Sequence, residues 1–339
     1  MGKRELNILF TYADRRVDLL DAFRDAMGQL GVTGKLIAAD TSIASAALHR
    51  ADASAIVPHP DEATYIPVLL DLVKEHNVGL LVPLSDLDLV LLAGEHGRFS
   101  EVGCTVMTGS YSSVALCRDD ARFERLCEQT RVANVKTLSL ADFESRPFFP
   151  CLVKPARKPA HTKPRLIRSR KQLLAYIALC AEPILVRECA SGWSLHIDVY
   201  RSRDGVVRCV VPRQELAARA SSVEIAVAST DGALIAEVTR LVESLGDIWG
   251  VLCCHCIRGE DGSVTFLGVD PRFGDGVHLS IAAGANLPAY LLEEVLGLPS
   301  TANAASVTDG MLMLRYDNAV FVQVDDRSSL PGCDTPIFE

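Results

Sequence analysis

The sequence predicts an α/β half built on a parallel sheet, followed by an α+β half built on antiparallel strands. Three observations carry this. Across residues 1–110, short apolar runs alternate with amphipathic stretches through short connections, the pattern of strands covered by helices on both faces. Beyond Ser110, turn clusters at Asp204-Gly205 and Glu260-Asp261-Gly262 divide apolar runs into hairpins. The chain has 339 residues, 49% of them hydrophobic, enough for about two units of ordinary size.

Each element follows from local pattern. Residues 6–12 (LNILFTY) read as a buried strand. Val17, Leu20, Phe23, Met27 and Leu30 recur at helical spacing, and Gly31 stops that helix. Residues 35–40 and 54–57 are the next strands, and 61–76 form a helix whose acidic first turn suits the helix dipole. Residues 79–83 and 104–107 complete a Rossmann-like sheet. Its first turn, TYADRRV from Thr11, lacks GxGxxG, so no dinucleotide site is expected there. The second half reads as a helix over 112–130, a strand over 151–154, a helix over 171–180 and a strand over 184–188. Then come a hairpin over 193–213, a helix over 231–245, a hairpin over 250–270, a helix over 287–296 and short strands at 312–316 and 320–324.

Composition narrows the function classes. The chain carries 34 Lys+Arg against 43 Asp+Glu, a net charge of −9, which argues against polyanion binding by the whole surface; no nucleic-acid partner is expected. No apolar run reaches membrane-span length, so no membrane partner is expected. Eleven cysteines form no regular framework, and no secretory leader is read ahead of Leu6. A cytoplasmic protein with reduced thiols is the expectation.

Seven strings then carry a family likeness: TYADRRVDLLDAF from Thr11, VPLSDLDLVLLA from Val82, CLVKP from Cys151, ILVRECASGWSLHIDV from Ile184, VPRQELAARA from Val211, FLGVDPRFGDG from Phe266 and AAGANLP from Ala282. In this order, over nearly the whole chain, they resemble the ATP-grasp superfamily, in particular single-chain proteins similar to the carbamoyl-phosphate synthetase large subunit. The resemblance implies a Rossmann-like pre-ATP domain over 1–110 and a two-lobed ATP-grasp module over 111–325. The smaller lobe would cover about 148–187, the larger about 188–325, with a tail at 326–339. It also implies ATP, usually with two magnesium ions, and the joining of a small-molecule carboxylate to an amine through an acyl phosphate. A homodimer is common among relatives.

Residue roles come from the same likeness. Lys154 would contact nucleotide phosphates, which need a point charge at a fixed position; otherwise it is a surface lysine closing a strand. Arg157 and Lys158 continue into the phosphate-binding loop, and Val186 and Glu188 fall at the inter-lobe hinge that meets adenine. Glu188 is alternatively a structural carboxylate. Arg272 would face the phosphate or acyl-phosphate region, where a planar fork suits oxyanions, or else pair with Asp270. Arg213 and Arg219 resemble arginines that hold the acceptor, or are solvated. Asn286 lies beside the site or caps a helix.

The departures from the family pattern are equally specific. The phosphate-binding loop is normally glycine-rich, whereas residues 154–171 hold three prolines, eight basic residues, no glycine and no acid. Proline donates no amide, so the segment is either a basic anion clamp or a solvated flap. The expected metal positions carry His255, Gly268 and Asp270, a poor set for magnesium. A ribose-binding glutamate becomes Ser194, and a family lysine becomes Asp120, with Arg118 or Arg122 as substitutes. Alternation in the CCHC string puts Cys253 and His255 on one face and Cys254 and Cys256 on the other. A zinc site of Cys253, His255 and Asp270 is conceivable there, but buried structural cysteines are the preferred reading. Two main functional readings follow: an ATP-dependent carboxylate–amine ligase with a depleted site, or a pseudoenzyme that keeps the scaffold to bind a small molecule or partner an active enzyme.

Overall fold

The structure, a computed structural model, describes residues 4–156, 164–180, 182–219, 222–303 and 306–323. The alternation in the first half folds into a five-stranded sheet: β1 Asn7–Thr11, β2 Leu36–Asp40, β3 Ala53–Ile56, β4 Val78–Pro83 and β5 Thr105–Val106. Every pairing is parallel and the order is β3-β2-β1-β4-β5. Three crossover helices cover it: α1 Val17–Leu30, α2 Tyr65–Glu75 and α3 Asp86–Glu101. α1 buries Leu19, Leu20, Phe23, Ala26 and Met27 and stops at Gly31, whose left-handed φ of 63° admits glycine readily. α2 begins at Tyr65, later than expected, so its first turn holds no acid. Residues 59–62 close a turn instead, in which the His59 amide donates to Glu62 Oε1 at 2.9 Å.

The single helix expected over 112–130 is two: α4 Tyr111–Arg118 and α5 Asp120–Thr130. Asp119 adopts an extended conformation between them, and its carboxylate accepts from the Arg122 amide at 3.0 Å. A side chain that caps one helix ends the other.

A four-stranded antiparallel sheet follows, from β6 Thr137–Ser139, β7 Cys151–Pro155, β8 Arg165–Ile167 and β9 Ile184–Glu188, in the order β8-β7-β9-β6. Helices α6 Leu140–Ser145 and α7 Arg170–Leu179 accompany it, with Phe143, Cys151, Val153, Ile167, Leu173, Ile184 and Val186 as its core.

The third sheet has six antiparallel strands: β10 Trp193–Arg201, β11 Val207–Arg219, β12 Ser222–Ala228, β13 Gly250–Arg258, β14 Val264–Asp270 and β15 Leu312–Leu314. They run in the order β14-β13-β10-β11-β12-β15. Leu195, Ile197, Val199, Leu252, Cys254 and Cys256 pack one face against α8 Gly232–Glu243, through Leu234, Val238 and Leu241. The other face meets α9 Val277–Ala282, α10 Leu287–Val295 and α1. An edge-to-face aromatic series, Phe10–Phe23–Phe273 with centroids 4.9 and 5.6 Å apart, runs from β1 to the chain beyond β14. No strand forms over 320–323; β15 already occupies the β12 edge, and Phe321 is 94% exposed. Among the described residues, no helix is long and apolar enough to cross a membrane.

Candidate functional site

Alternation and register bring the polar residues of the large sheet to the face opposite α8. His196 lies between Arg213 and His255, His255 lies opposite Gly268, and Cys253 lies between Asp198 and Asp270. Cys254 and Cys256 point the other way into the α8 core, as alternation requires.

The floor of this face is a buried ion pair. Arg213 Nε and Nη2 donate to Asp198 Oδ2 and Oδ1 at 2.7 and 3.0 Å, and Ser280 Oγ adds a bond to Oδ2 at 2.6 Å. Arg213 is 1% exposed and Asp198 fully buried, so each neutralises the other where water cannot. Burial opposes the Arg213 charge, but Asp198 beside it outweighs that and holds the guanidinium above its usual range. The loop after β14 lies directly over the pair. A Cβ at Gly274 would stand 2.8 Å from Cys253 Sγ, and one at Gly276 would overlap Arg213 Nη1 at 2.2 Å. Arg16, from the first turn after β1, secures that loop by donating to Phe273 O at 3.3 Å, Gly274 O at 3.0 Å and Asp275 Oδ1 at 3.3 Å.

Above the floor runs a chain of charges and rings. Arg272 Nε donates to Asp86 Oδ1 at 2.8 Å, its Nη2 to Asp270 Oδ2 at 3.2 Å and its Nη1 to Phe273 O at 3.3 Å. Asp270 Oδ2 lies 3.0 Å from His255 Nε2, His255 Nδ1 lies 3.1 Å from His196 Nδ1, and His196 Nε2 lies 3.1 Å from Glu215 Oε2. Ser194 Oγ is 3.4 Å from His196 Nε2. Burial alone would raise the Asp270 carboxyl, but the His255 hydrogen bond and the cations beside it hold it well below the carboxylate range. Burial, with His255 and Arg213 nearby, pushes the His196 imidazole down to about 4. Burial and the Asp198 charge push the Cys253 thiol well above its usual value.

The magnesium implied by the family likeness does not fit this donor set. Gly268 has no side chain, His255 offers nitrogen, and Asp270 is already held by His255 and Arg272. Magnesium demands near-octahedral oxygen ligands and tolerates such a set poorly.

On the small-sheet side, a cavity of about 520 Å³ opens between the α4–α5 junction and the strands β6, β7 and β9. Arg118, Asp119, Asp120, Thr137, Ser139 and Lys154 contribute to its lining. Lys154 is 1% exposed and forms an ion pair with Asp120, so its charge is answered within the chain. Arg118 links the two sides through Asp86 at 3.8 Å.

The remaining sequence candidates scatter. Val186 is buried in the small-sheet core, on a strand paired at both edges. Glu188 ends that strand and accepts weakly from the Lys136 amide at 3.4 Å. Arg219 is exposed and pairs with Glu224 and Asp317; it lies six residues from Arg213, about 20 Å along the strand. Asn286 caps α10, accepting from the Ala289 amide at 3.2 Å. Arg157 and Lys158 lie outside the described residues. Sequence reasoning missed His196, Glu215, Asp198 and Asp86. His196-x-Asp198 alternates as a strand face should, yet only the register shows what it faces.

Two family profiles match the chain: "PylC-like, N-terminal domain" over residues 8–107 and "ATP-grasp in the biosynthetic pathway with Ter operon" over residues 181–318. None of the curated proteins matches by sequence. Among solved structures, the biotin carboxylase domain of Hydrogenobacter thermophilus 2-oxoglutarate carboxylase is similar at a TM-score of 0.72 and 17% identity, covering 90% of this chain and 73% of that one. The L-amino acid ligase of Bacillus licheniformis gives 0.67 and 17%, covering 91% and 78%. The N5-carboxyaminoimidazole synthetase of Staphylococcus aureus gives 0.68 and 14%, covering 89% and 80%. Profiles matched in sequence order and a fold shared across these enzymes lead to one conclusion: the chain belongs to the ATP-grasp superfamily.

Proposed function

We propose that this chain is a catalytically impaired ATP-grasp protein whose cleft binds a small molecule without magnesium-assisted acyl-phosphate chemistry. One observation carries the reading: among the described residues, three cations expected to meet phosphate or substrate at the cleft are committed to the chain's own carboxylates. Lys154 is held by Asp120, Arg272 by Asp86 and Asp270, and Arg213 by Asp198. A nucleotide phosphate would have to displace these partners, and among the described residues no oxygen-rich metal set offsets that cost. Asp119 and Arg118, which line the cavity beside the Lys154–Asp120 pair, offer one charge of each sign to a small zwitterion bearing both an amine and a carboxylate. The fold likeness to an L-amino acid ligase supports that ligand class. On this reading residues 1–110 form the pre-ATP half and 111–325 the ATP-grasp module, working as a cytoplasmic homodimer. The described cysteines are all free, in keeping with a reducing compartment.

A second reading, an active carboxylate–amine ligase, is favoured by the cavity itself, which remains open with Lys154 in its wall. Calorimetric titration with ATP and magnesium separates the two. Impairment predicts no binding heat in the wild type and recovered binding in Asp120→Asn, which releases Lys154. Wild-type binding of ATP that Lys154→Ala abolishes would overturn it in favour of the ligase.

A further inference from the structure

The two histidines on the large-sheet face are each tied to a carboxylate at the outer ring nitrogen. His255 Nε2 lies 3.0 Å from Asp270 Oδ2 and His196 Nε2 lies 3.1 Å from Glu215 Oε2. An ionised carboxylate only accepts, so each Nε2 carries a proton, and in the neutral ring each Nδ1 is then a bare lone pair. Those two Nδ1 atoms converge to 3.1 Å, with the rings nearly perpendicular at 86°. Two lone pairs so close repel unless a proton or a metal ion stands between them. Cys253 Sγ completes the group, and the three ligand atoms all lie within 4.8 Å of one another.

We propose that His196 Nδ1, His255 Nδ1 and Cys253 Sγ form a binding site for a zinc-class divalent ion. A tetrahedral zinc ion, with Zn–N of about 2.0–2.1 Å and Zn–S of about 2.3 Å, holds its nitrogens about 3.3 Å apart. The observed nitrogen pair is already near that separation, and the thiol, within 4.8 Å of both nitrogens, must close to about 3.5 Å. Asp270 and Glu215 supply the carboxylate behind each histidine that fixes tautomer and ring orientation in zinc sites. Arg213 Nη2, 4.0 Å from Cys253 Sγ, offsets part of the burial and Asp198 charge that oppose the thiolate, and the bound metal must supply the rest. Two nitrogens and a sulfur select zinc over magnesium. The histidine side chains are 24% and 29% exposed, which leaves a fourth position open to water or an external ligand. This ligand set differs from Cys253, His255 and Asp270: His196 enters, and Asp270 moves behind a ring. The inference goes beyond the functional reading above, because the site needs neither nucleotide nor substrate.

The test is titration of the reduced, metal-free full chain with Co2+, followed by displacement with Zn2+. Expected is one tetrahedral cobalt equivalent showing a thiolate-to-cobalt charge-transfer band that zinc abolishes. Cys253→Ser should remove the band, His196→Gln should weaken binding at least tenfold, and Glu215→Gln should weaken it about tenfold. Cys254→Ser, on the opposite face, should change nothing. Circular dichroism confirms folding, and His196→Gln serves where Cys253→Ser fails to fold. Absence of the band in the wild type, meaning that a shared proton alone bridges the rings, overturns the proposal. So does a band that survives Cys253→Ser, or binding indifferent to His196→Gln, whichever nucleotide result is obtained.

Discussion

The two sides of the cleft differ, each in its own physical way, from what the family likeness leads one to expect. On the small-sheet side a lysine stands at the expected place, but an acid stands where the likeness leads one to expect another cation, so Lys154 is answered by Asp120 beside an open cavity. On the large-sheet side the donors have changed kind: imidazole and thiol occupy the face where carboxylate oxygens are expected, above a fully buried Arg213–Asp198 pair. The first change alters charge while preserving shape. The second alters ligand chemistry while preserving the sheet. One wall thus answers a cation with an acid, and the other carries nitrogen and sulfur beside its carboxylates.

Arg213→Met probes the contrast most severely. It leaves the Asp198 carboxylate buried without a cation and should cost about 3–5 kcal/mol in urea unfolding. Lys154→Met should cost far less, about 1 kcal/mol, because Asp120 is 19% exposed and water can solvate it. Equal losses would erase the distinction between the walls.

A buried acid given no cation sharpens the point. Asp88, fully buried on α3, accepts from Tyr65 OH at 2.7 Å, and burial pushes its carboxyl up to about 6. Asp270, flanked by His255 and Arg272, is driven the opposite way. Because folding raises the Asp88 value above the ordinary 3.8, its contribution is full below about pH 4 and is lost as pH rises through 6. Wild type should therefore lose about 2–3 kcal/mol across that window relative to Asp88→Asn, measured as the difference between their unfolding curves at each pH. An effect as small as that of Lys154→Met is expected from Asp119→Ala. Loss of the α5 cap should cost about 1 kcal/mol and speed hydrogen exchange at the Arg122 amide, loosening the turn that delivers Asp120 to Lys154.

Much of the fold was legible because it is written in local period. The α1 stripe from Val17 to Leu30, the stop at Gly31 and the hairpin turns at Gly205 and Gly262 all form where their patterns place them. The break at Asp119 was not legible, since the apolar period of 112–130 runs through it and only the capping bond ends α4. Strand β6 was missed because three residues carry too little period to register. At the site, the face shared by Cys253 and His255 could be read from alternation alone. Their meeting with His196 depends on the β10–β13 register, and the Lys154–Asp120 pair joins a strand to a helix 34 positions earlier. Neither relation has a local signature.

Arg16 reaches across more than 250 positions of chain to grip the carbonyls of Phe273 and Gly274. The large sheet is consequently not a portable part. A chimera that grafts residues 111–323 onto a foreign N-terminal half would strip the Arg16 bonds from that loop and leave it only those made within the graft, such as Arg272 to Phe273 O. Water would then enter over Cys253 and Asp198, and the graft would fail at its most costly ion pair. Whoever transplants this cleft must carry the first turn after β1 along with it.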